Sequence, residues 1–276
     1  MKEPIFARTR YEYASYSDFW RLVELSGFKT CFVDQIDLEA DEVYVSCPVN
    51  GEIKGHVPHR RSILKSPQRA RIITLMLEKP YNPDVPGSLR STVDECLKYC
   101  EAIWVSDRWI ASQDPRYVYM ELGSHPGLAS GPREAIQYDF AHMSCETPRR
   151  EGVYRHLSSQ FRMAPNAWGD ERDRILRSTR AMLNVHQDNT VCLEPLRIAI
   201  AAAYKMAYLT ESSPDPYPLI PGQTCHTCGY DRLQPDVAAW LSQQDLAGMG
   251  EALYQRLCVA SNFRKGVMDA LERTFK

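Results

Sequence analysis

Three side chains able to do chemistry fall within one short stretch, Leu183-Asn-Val-His-Gln-Asp-Asn-Thr-Val-Cys-Leu-Glu-Pro-Leu-Arg197: they are His186, Glu194 and Arg197. Proline suits the first position of a helix, where its missing N–H costs nothing and its φ is already helical. Pro195 therefore opens a helix and puts Glu194 at its N-cap. The N–H groups of Leu196 and Arg197 then lack intrahelical acceptors and face the preceding loop. A short strand (Met182 to Val185), a polar loop and a helix N-terminus together make an anion site. The plainer alternative is that Glu194 only caps the helix and Arg197 only pairs with it. Arg149-Arg150 follows a polar turn, where forked guanidinium groups match phosphate oxygens or simply begin a solvated helix. Glu211 closes a strand that starts at Met206, and either lines the site or caps the next segment. Asp107 follows the strand Ala102 to Ser106. It is placed either for catalysis and acceptor binding or as the N-cap of a helix from Arg108. Asn50 and Glu52 follow another strand end in the same way.

The elements that must hold these residues alternate. Ser17 to Gly27 reads as a capped helix with Phe19, Leu22, Val23 and Leu25 on its apolar face. Strands are predicted at Thr30 to Val33, Glu42 to Cys47, Arg71 to Leu77, Ala102 to Ser106 and Tyr117 to Leu122. Asn50-Gly51 signals a turn, residues 60–70 a short basic helix, residues 81–88 a loop and Thr92 to Glu101 a helix. Gly123-Ser-His-Pro-Gly-Leu-Ala-Ser-Gly-Pro132 is the richest Gly/Pro/Ser stretch and the best boundary. Beyond it come an apolar run from Gln137 to Ser144 and helical spacing after Arg149-Arg150. A helix capped by Asp170 and running to Arg180 follows, then the stretch described above. Four prolines mark residues 212–224 as loop. Val237 to Leu241 looks helical, and a long C-terminal helix runs from Leu253 with a bend near Ser261-Asn262. Such alternation predicts an α/β protein of two facing Rossmann-like domains with parallel sheets. The C-terminal helix would pack back on the first domain. The expected division is an acceptor-side domain at 1–130, a nucleotide-sugar domain at 131–250 and the C-terminal helix at 251–276. Ligands of such sheets bind beyond the carboxyl ends of the strands.

Composition narrows the class. Apolar residues make 44% of the chain and charged residues 25%, which suits a soluble globular protein rather than a disordered one. No run approaches the roughly 18 apolar residues of a membrane span. The N-terminus has no apolar core of signal-peptide length, so a cytoplasmic location is expected. Nine cysteines, an odd number scattered through apolar segments, suit reduced thiols better than a disulfide framework. A net charge of −2 gives no bulk signal for nucleic acid.

With the second half laid out, its order of parts resembles the nucleotide-sugar domain of GT-B fold glycosyltransferases (group 1-like). The resemblance rests on His142-Met-Ser-Cys-Glu-Thr-Pro-Arg-Arg150, on Leu183-Asn184-Val185-His186, on Glu194-Pro-Leu-Arg197 before a run of small residues, and on Leu209-Thr-Glu211. It covers residues 137–211. It implies a hexosyltransferase that takes a nucleotide-sugar donor, UDP-linked more than GDP-linked, and needs no metal. Glu194 would accept from the ribose hydroxyls. Arg150, with Arg149, would pair with the diphosphate, helped by the N-terminus at Leu196, by Arg197 and by the neighbouring Asn184 and Glu211. Many retaining members carry a Glu-x7-Glu pair; here the second position is Glu194 but the first is His186. His186 is therefore expected near the transferred sugar as a hydrogen-bonding group, with Asp107 as the other catalytic candidate. A non-catalytic nucleotide-sugar-binding protein is the rival reading.

Two further features need a place. Cys225-His-Thr-Cys228 is half of a zinc site, and no second Cys-x2-Cys exists to complete it. Its thiols are expected to be ordinary loop residues. Lys54, Arg60, Arg61, Lys65, Arg69 and Arg71, with His56 and His59, form a basic run. It is either a solvated face or a grip on a phosphate backbone, in which case the acceptor would be DNA or RNA carrying a hydroxylated base.

Overall fold

The strands of this chain are short, and several are buried on both faces. Val43–Ser46 (β3) is buried at all four positions and Ala207–Glu211 (β9) at all five. Strands covered on both sides are characteristic of parallel sheets flanked by helices. The structure, a computed structural model, describes residues 2–9, 16–47, 70–77, 93–94, 96–97, 100–187, 192–242 and 245–276. The predicted turn at Asn50-Gly51, the basic helix at 60–70 and the loop at 81–88 lie outside these residues, as does Glu52.

The chain forms two compact units, one of residues 1–122 with 263–276 and one of residues 123–262. The first holds six parallel strands. They are Ile5–Arg8 (β1), Thr30–Phe32 (β2), β3, Arg71–Met76 (β4), Ala102–Val105 (β5) and Tyr117–Tyr119 (β6), in the order β2-β1-β3-β4-β5-β6. β1 was not expected. It is only four residues long and flanked by charges, yet Phe6 is fully buried against Phe19, Phe28 and Phe263. The helix Ser17–Leu25 has Tyr16, not Ser17, at its N-cap. The C-terminal helix Phe263–Thr274 completes this unit, as expected. Trp104 Nε1 donates to Thr274 Oγ1 at 2.9 Å. At Gly266 an added Cβ would sit 1.9 Å from the carbonyl oxygen of Glu121, so only glycine lets the helix approach that backbone.

The second unit holds Tyr138–Ala141 (β7), Thr179–Asn184 (β8), β9 and Cys225–Cys228 (β10), all parallel, in the order β10-β9-β8-β7. Phe140, Leu157, Ala181, Leu183, Val185, Leu209 and Val237 lie in its core. Three expectations need correction. Asp170 is not a cap: the helix is Gly169–Arg177 behind Trp168, and Thr179 and Arg180 already belong to β8. Cys225 and Cys228 are on a strand, not a loop. The long C-terminal helix is three segments. Leu246–Tyr254 runs into a π-helical turn at Gln255–Ala260, and the break at Ser261 hands the chain back to the first unit. Gly250 allows a second close approach, because a Cβ there would meet the Lys205 carbonyl oxygen at 2.2 Å.

Candidate functional site

In the second unit the polar candidates gather where β7, β8 and β9 end. Thr147 begins the assembly. Its hydroxyl accepts from Arg150 N at 3.4 Å and Pro148 fills the first helical position, so the helix Pro148–Ser158 starts at a fixed point. Arg149 and Arg150 then lie in its first turn, where the helix dipole disfavours cations. Both are held there by carboxylates, Arg149 by Glu211 at the end of β9 and Arg150 by Glu194 ahead of the helix from Pro195.

Arg150 turns inward and is 1% exposed. Its Nε donates to Val185 O (2.8 Å), Nη1 to Cys145 O (3.1 Å) and Nη2 to Glu194 Oε1 (3.1 Å). Arg197 meets the other oxygen of Glu194, and its Nη1 donates to Asn184 Oδ1 at 2.6 Å. Asn184 is itself fully buried and donates to Thr210 Oγ1 at 3.2 Å. Glu194 stands at the N-cap of the helix Pro195–Ala203, yet its carboxylate makes no capping bond; it is shared between the two guanidiniums instead. Burial and the neighbouring Arg150 pull the Arg197 pKa down to about 10. It is still charged at neutral pH. Leu196 is half-buried in the first turn of that helix.

Arg149 belongs to a second group. Its two Nη atoms clasp the carboxylate of Glu211 at 2.7 and 2.6 Å, and Nη1 also donates to His186 O at 3.0 Å. The guanidinium lies over the Tyr230 ring at 3.7 Å, and the Tyr230 hydroxyl donates to Arg149 O at 2.9 Å. His186 N donates to Glu211 Oε2 at 3.1 Å. The His186 side chain is 1% exposed, with Nδ1 3.9 Å from that carboxylate. His186, expected beside a transferred sugar, has a buried ring at the end of β8, and its backbone ties that end to Arg149 and Glu211.

Together, three guanidiniums face two carboxylates in largely buried surroundings, a surplus of one positive charge. A buried charge without a partner is costly, so the group favours an anion.

His142, Ser144, Tyr154 and Tyr230 were missed. His142 follows β7 and stacks on Tyr154 (4.1 Å between ring centroids, planes at 16°). His142 Nδ1 lies 3.2 Å from Ser144 Oγ, which lies 3.0 Å from the Tyr154 hydroxyl. Burial, with Arg197 and Arg150 beside it, pushes the His142 pKa down to about 4, so the ring is neutral at ordinary pH. The signal for Tyr154 was its position four residues after Arg150, one turn along the same helix face. Tyr230 had no sequence signal, because it meets Arg149 only through the pairing of β10 with β9.

The remaining candidates are on other elements. Asp107, in the first unit, is 3% exposed and accepts from Ile110 N at 3.1 Å as the N-cap of the helix Arg108–Gln113. Arg71 packs over the Phe275 ring at 4.1 Å. Lys54, Arg60, Arg61, Lys65 and Arg69 lie outside the described residues. Cys225 and Cys228 are three apart on a strand and so point to opposite faces. Burial pushes both thiols up to about 12. Among the described residues no group of three or more His, Cys, Asp or Glu side chains is gathered to hold a metal ion. Nor is any helix among them long and apolar enough to cross a membrane.

No protein-family model and no curated protein sequence matches this chain. Solved structures share its fold. HepE from Anabaena, solved in complex with UDP-glucose, superposes with a TM-score of 0.66 at 8% identity over 98% of this chain and 99% of its own. TarM gives a TM-score of 0.58 at 7% identity over 87% of this chain, which spans 56% of TarM. AviGT4, a glycosyltransferase involved in avilamycin A biosynthesis, gives 0.54 at 10% identity over 98% and 97%. The chain has the GT-B fold, with two Rossmann-like units.

Proposed function

We propose that this chain is a metal-independent glycosyltransferase that moves a sugar from a nucleotide-sugar donor to an acceptor hydroxyl. One observation carries the reading. Glu194, at the start of a helix beyond the carboxyl end of β8, is held by the buried Arg150 and the half-buried Arg197, which together leave a positive charge in excess. A carboxylate oriented in this way accepts well from a pair of ribose hydroxyls. The surplus charge, from Arg150 and Arg197, and the N–H of Leu196 suit the diphosphate alongside; Arg197 N, expected to be free, donates to Glu194 O at 3.0 Å instead. HepE, of the same fold, was solved with UDP-glucose, which favours a UDP-linked donor.

In the reaction the bond from the sugar's anomeric carbon to the diphosphate oxygen breaks, and a bond from that carbon to the acceptor oxygen forms. The nucleoside diphosphate leaves with the electron pair, and the acceptor hydroxyl passes its proton to the departing diphosphate oxygen or to water. Negative charge grows on the leaving oxygen, and preorganised guanidinium and N–H donors are the groups that stabilise it. Arg150 acts here mainly by fixing Glu194, since most of its donors are taken by Val185, Cys145 and Glu194. Arg149 and Glu211 hold the end of β8 in place and, through it, the loop leading to Glu194.

The test is Glu194→Ala with UDP- and GDP-sugar binding followed by calorimetry. The expected result is a loss of donor affinity of at least about tenfold, the scale of losing a hydrogen bond to a charged group. Unchanged affinity would sink the assignment. Slow release of free sugar from the bound donor, abolished by the same substitution, distinguishes the enzyme from a non-catalytic binder.

A further inference from the structure

We infer that His142 is a further donor-binding residue, an imidazole locked in its Nε2–H form by the Tyr154–Ser144 chain so that it donates to a phosphate oxygen of the nucleotide. The inference rests on the nucleotide-sugar reading and assigns one more contact at that site.

The direction of the chain follows from burial. Tyr154 is 5% exposed, and among the described residues its hydroxyl has Ser144 Oγ as its hydrogen-bond partner. A buried phenol must place its proton on an acceptor, so Tyr154 donates to Ser144. The Ser144 hydroxyl is then free to donate to His142 Nδ1, 3.2 Å away. With Nδ1 accepting, the proton of the neutral ring sits on Nε2. The reverse order would have Nδ1–H donate to Ser144 and Ser144 donate to Tyr154, leaving the phenol proton without an acceptor.

His142 is 7% exposed, and among the described residues Nε2 has no hydrogen-bond partner. Nε2 itself reaches solvent-accessible space, so an incoming ligand oxygen can replace water as its acceptor. The ring lies near enough to Arg197 and Arg150 for both to resist its protonation. Those are two of the three arginines responsible for the surplus positive charge. The acceptor that takes the place of water is therefore expected to be the anion that this charge attracts. A neutral donor adds a directional bond there without a further positive charge. Stacking on Tyr154 holds the ring plane fixed, so the N–H direction is set before the ligand arrives.

Calorimetry with UDP, GDP and uridine tests this on the full chain, with His142→Phe and His142→Gln. Phenylalanine keeps the stacked ring and has no donor; the glutamine amide offers one near the position of Nε2. His142→Phe is expected to weaken UDP binding about tenfold or more, the scale of one hydrogen bond to a charged group, and to leave uridine binding unchanged. His142→Gln is expected to restore UDP binding to within a few-fold of the parent protein. A purely structural role would weaken uridine and UDP alike and would not be rescued by glutamine, and that pattern overturns the inference. So does UDP binding that His142→Phe leaves untouched. If the parent protein binds neither UDP nor GDP, the nucleotide-sugar reading itself fails and takes this one with it. If His142→Phe does not fold, Ser144→Ala decides the matter. Released from the chain, the ring can place its proton on either nitrogen, so UDP affinity should fall while uridine affinity holds; unchanged UDP affinity overturns the inference.

Discussion

Acidification should cost this protein stability through His142 in a window where carboxylates contribute little. The ring has a pKa of about 4 in the folded chain, from burial and from Arg197 and Arg150, against an ordinary value of 6.5. Between those two values the unfolded chain binds a proton that the folded chain refuses. Stability therefore rises with pH through this window and is lost as pH falls below about 6.5. The full span is 2.5 pH units, which at 1.36 kcal/mol per unit corresponds to about 3 kcal/mol once the pH is below both values. At about pH 5.5 the loss relative to about pH 8 is ~1.4 kcal/mol, or roughly 3–6 °C in the thermal midpoint for a chain of this size. His125 and His226 are also shifted down by burial and act in the same direction. The decisive quantity is thus the difference between the parent protein and His142→Phe, measured by thermal melts at several pH values. The parent midpoint should fall on acidification by those few degrees more than the variant's. Parallel pH profiles would refute the reasoning, because they would mean that His142 takes up a proton as readily folded as unfolded.

Gly266→Ala should destabilise the first unit by about 1–3 kcal/mol, the usual cost of forcing atoms into a packed site, since the new Cβ would fall 1.9 Å from the Glu121 carbonyl oxygen; a melt at the parent midpoint would show that the helix can shift freely. Glu211→Gln removes the charge clasped by Arg149 and should cost about 2–3 kcal/mol in chemical denaturation, with donor affinity falling because the end of β8 loosens; an unaffected variant would show that the pair is dispensable. Asp107→Ala should cost about 1 kcal/mol as a lost helix cap and leave kcat unchanged; a collapse of kcat with normal stability would make Asp107 catalytic rather than only a cap.

The helix opened by Pro195 and the strand before it could be read directly, because a proline at the first helical position and an apolar run have local causes. Thr147 and Pro148 carry the same local signal, yet the spacing predicts a helix only after the two arginines, whereas the helix already starts at Pro148. By contrast, β1 escaped notice because four residues between charges show no period, and only its place between β2 and β3 buries Phe6. Asp170 misled for a related reason. An acidic residue fits both the cap and the first turn of a helix, and the choice fell to Trp168, whose backbone is extended. At the site the residue types were legible, but their directions were not. Arg149 and Arg150 are neighbours in sequence, and successive side chains on a helix point about 100° apart. One reaches Glu211 and Tyr230, the other Val185 and Glu194.

By itself the sequence determined the alternation of elements, the helix start at Glu194-Pro195 and the presence of arginines before it. These depend on backbone preferences and apolar spacing within a dozen residues. The tertiary structure alone decided which carboxylate each arginine meets, that Glu194 is shared rather than capping, and that His186 is buried. It also decided that His142, Ser144 and Tyr154 form a chain. Those outcomes depend on the parallel order β10-β9-β8-β7. That order brings residues 142, 186 and 211 to one edge of a sheet, and long-range strand pairing leaves no local mark in a sequence.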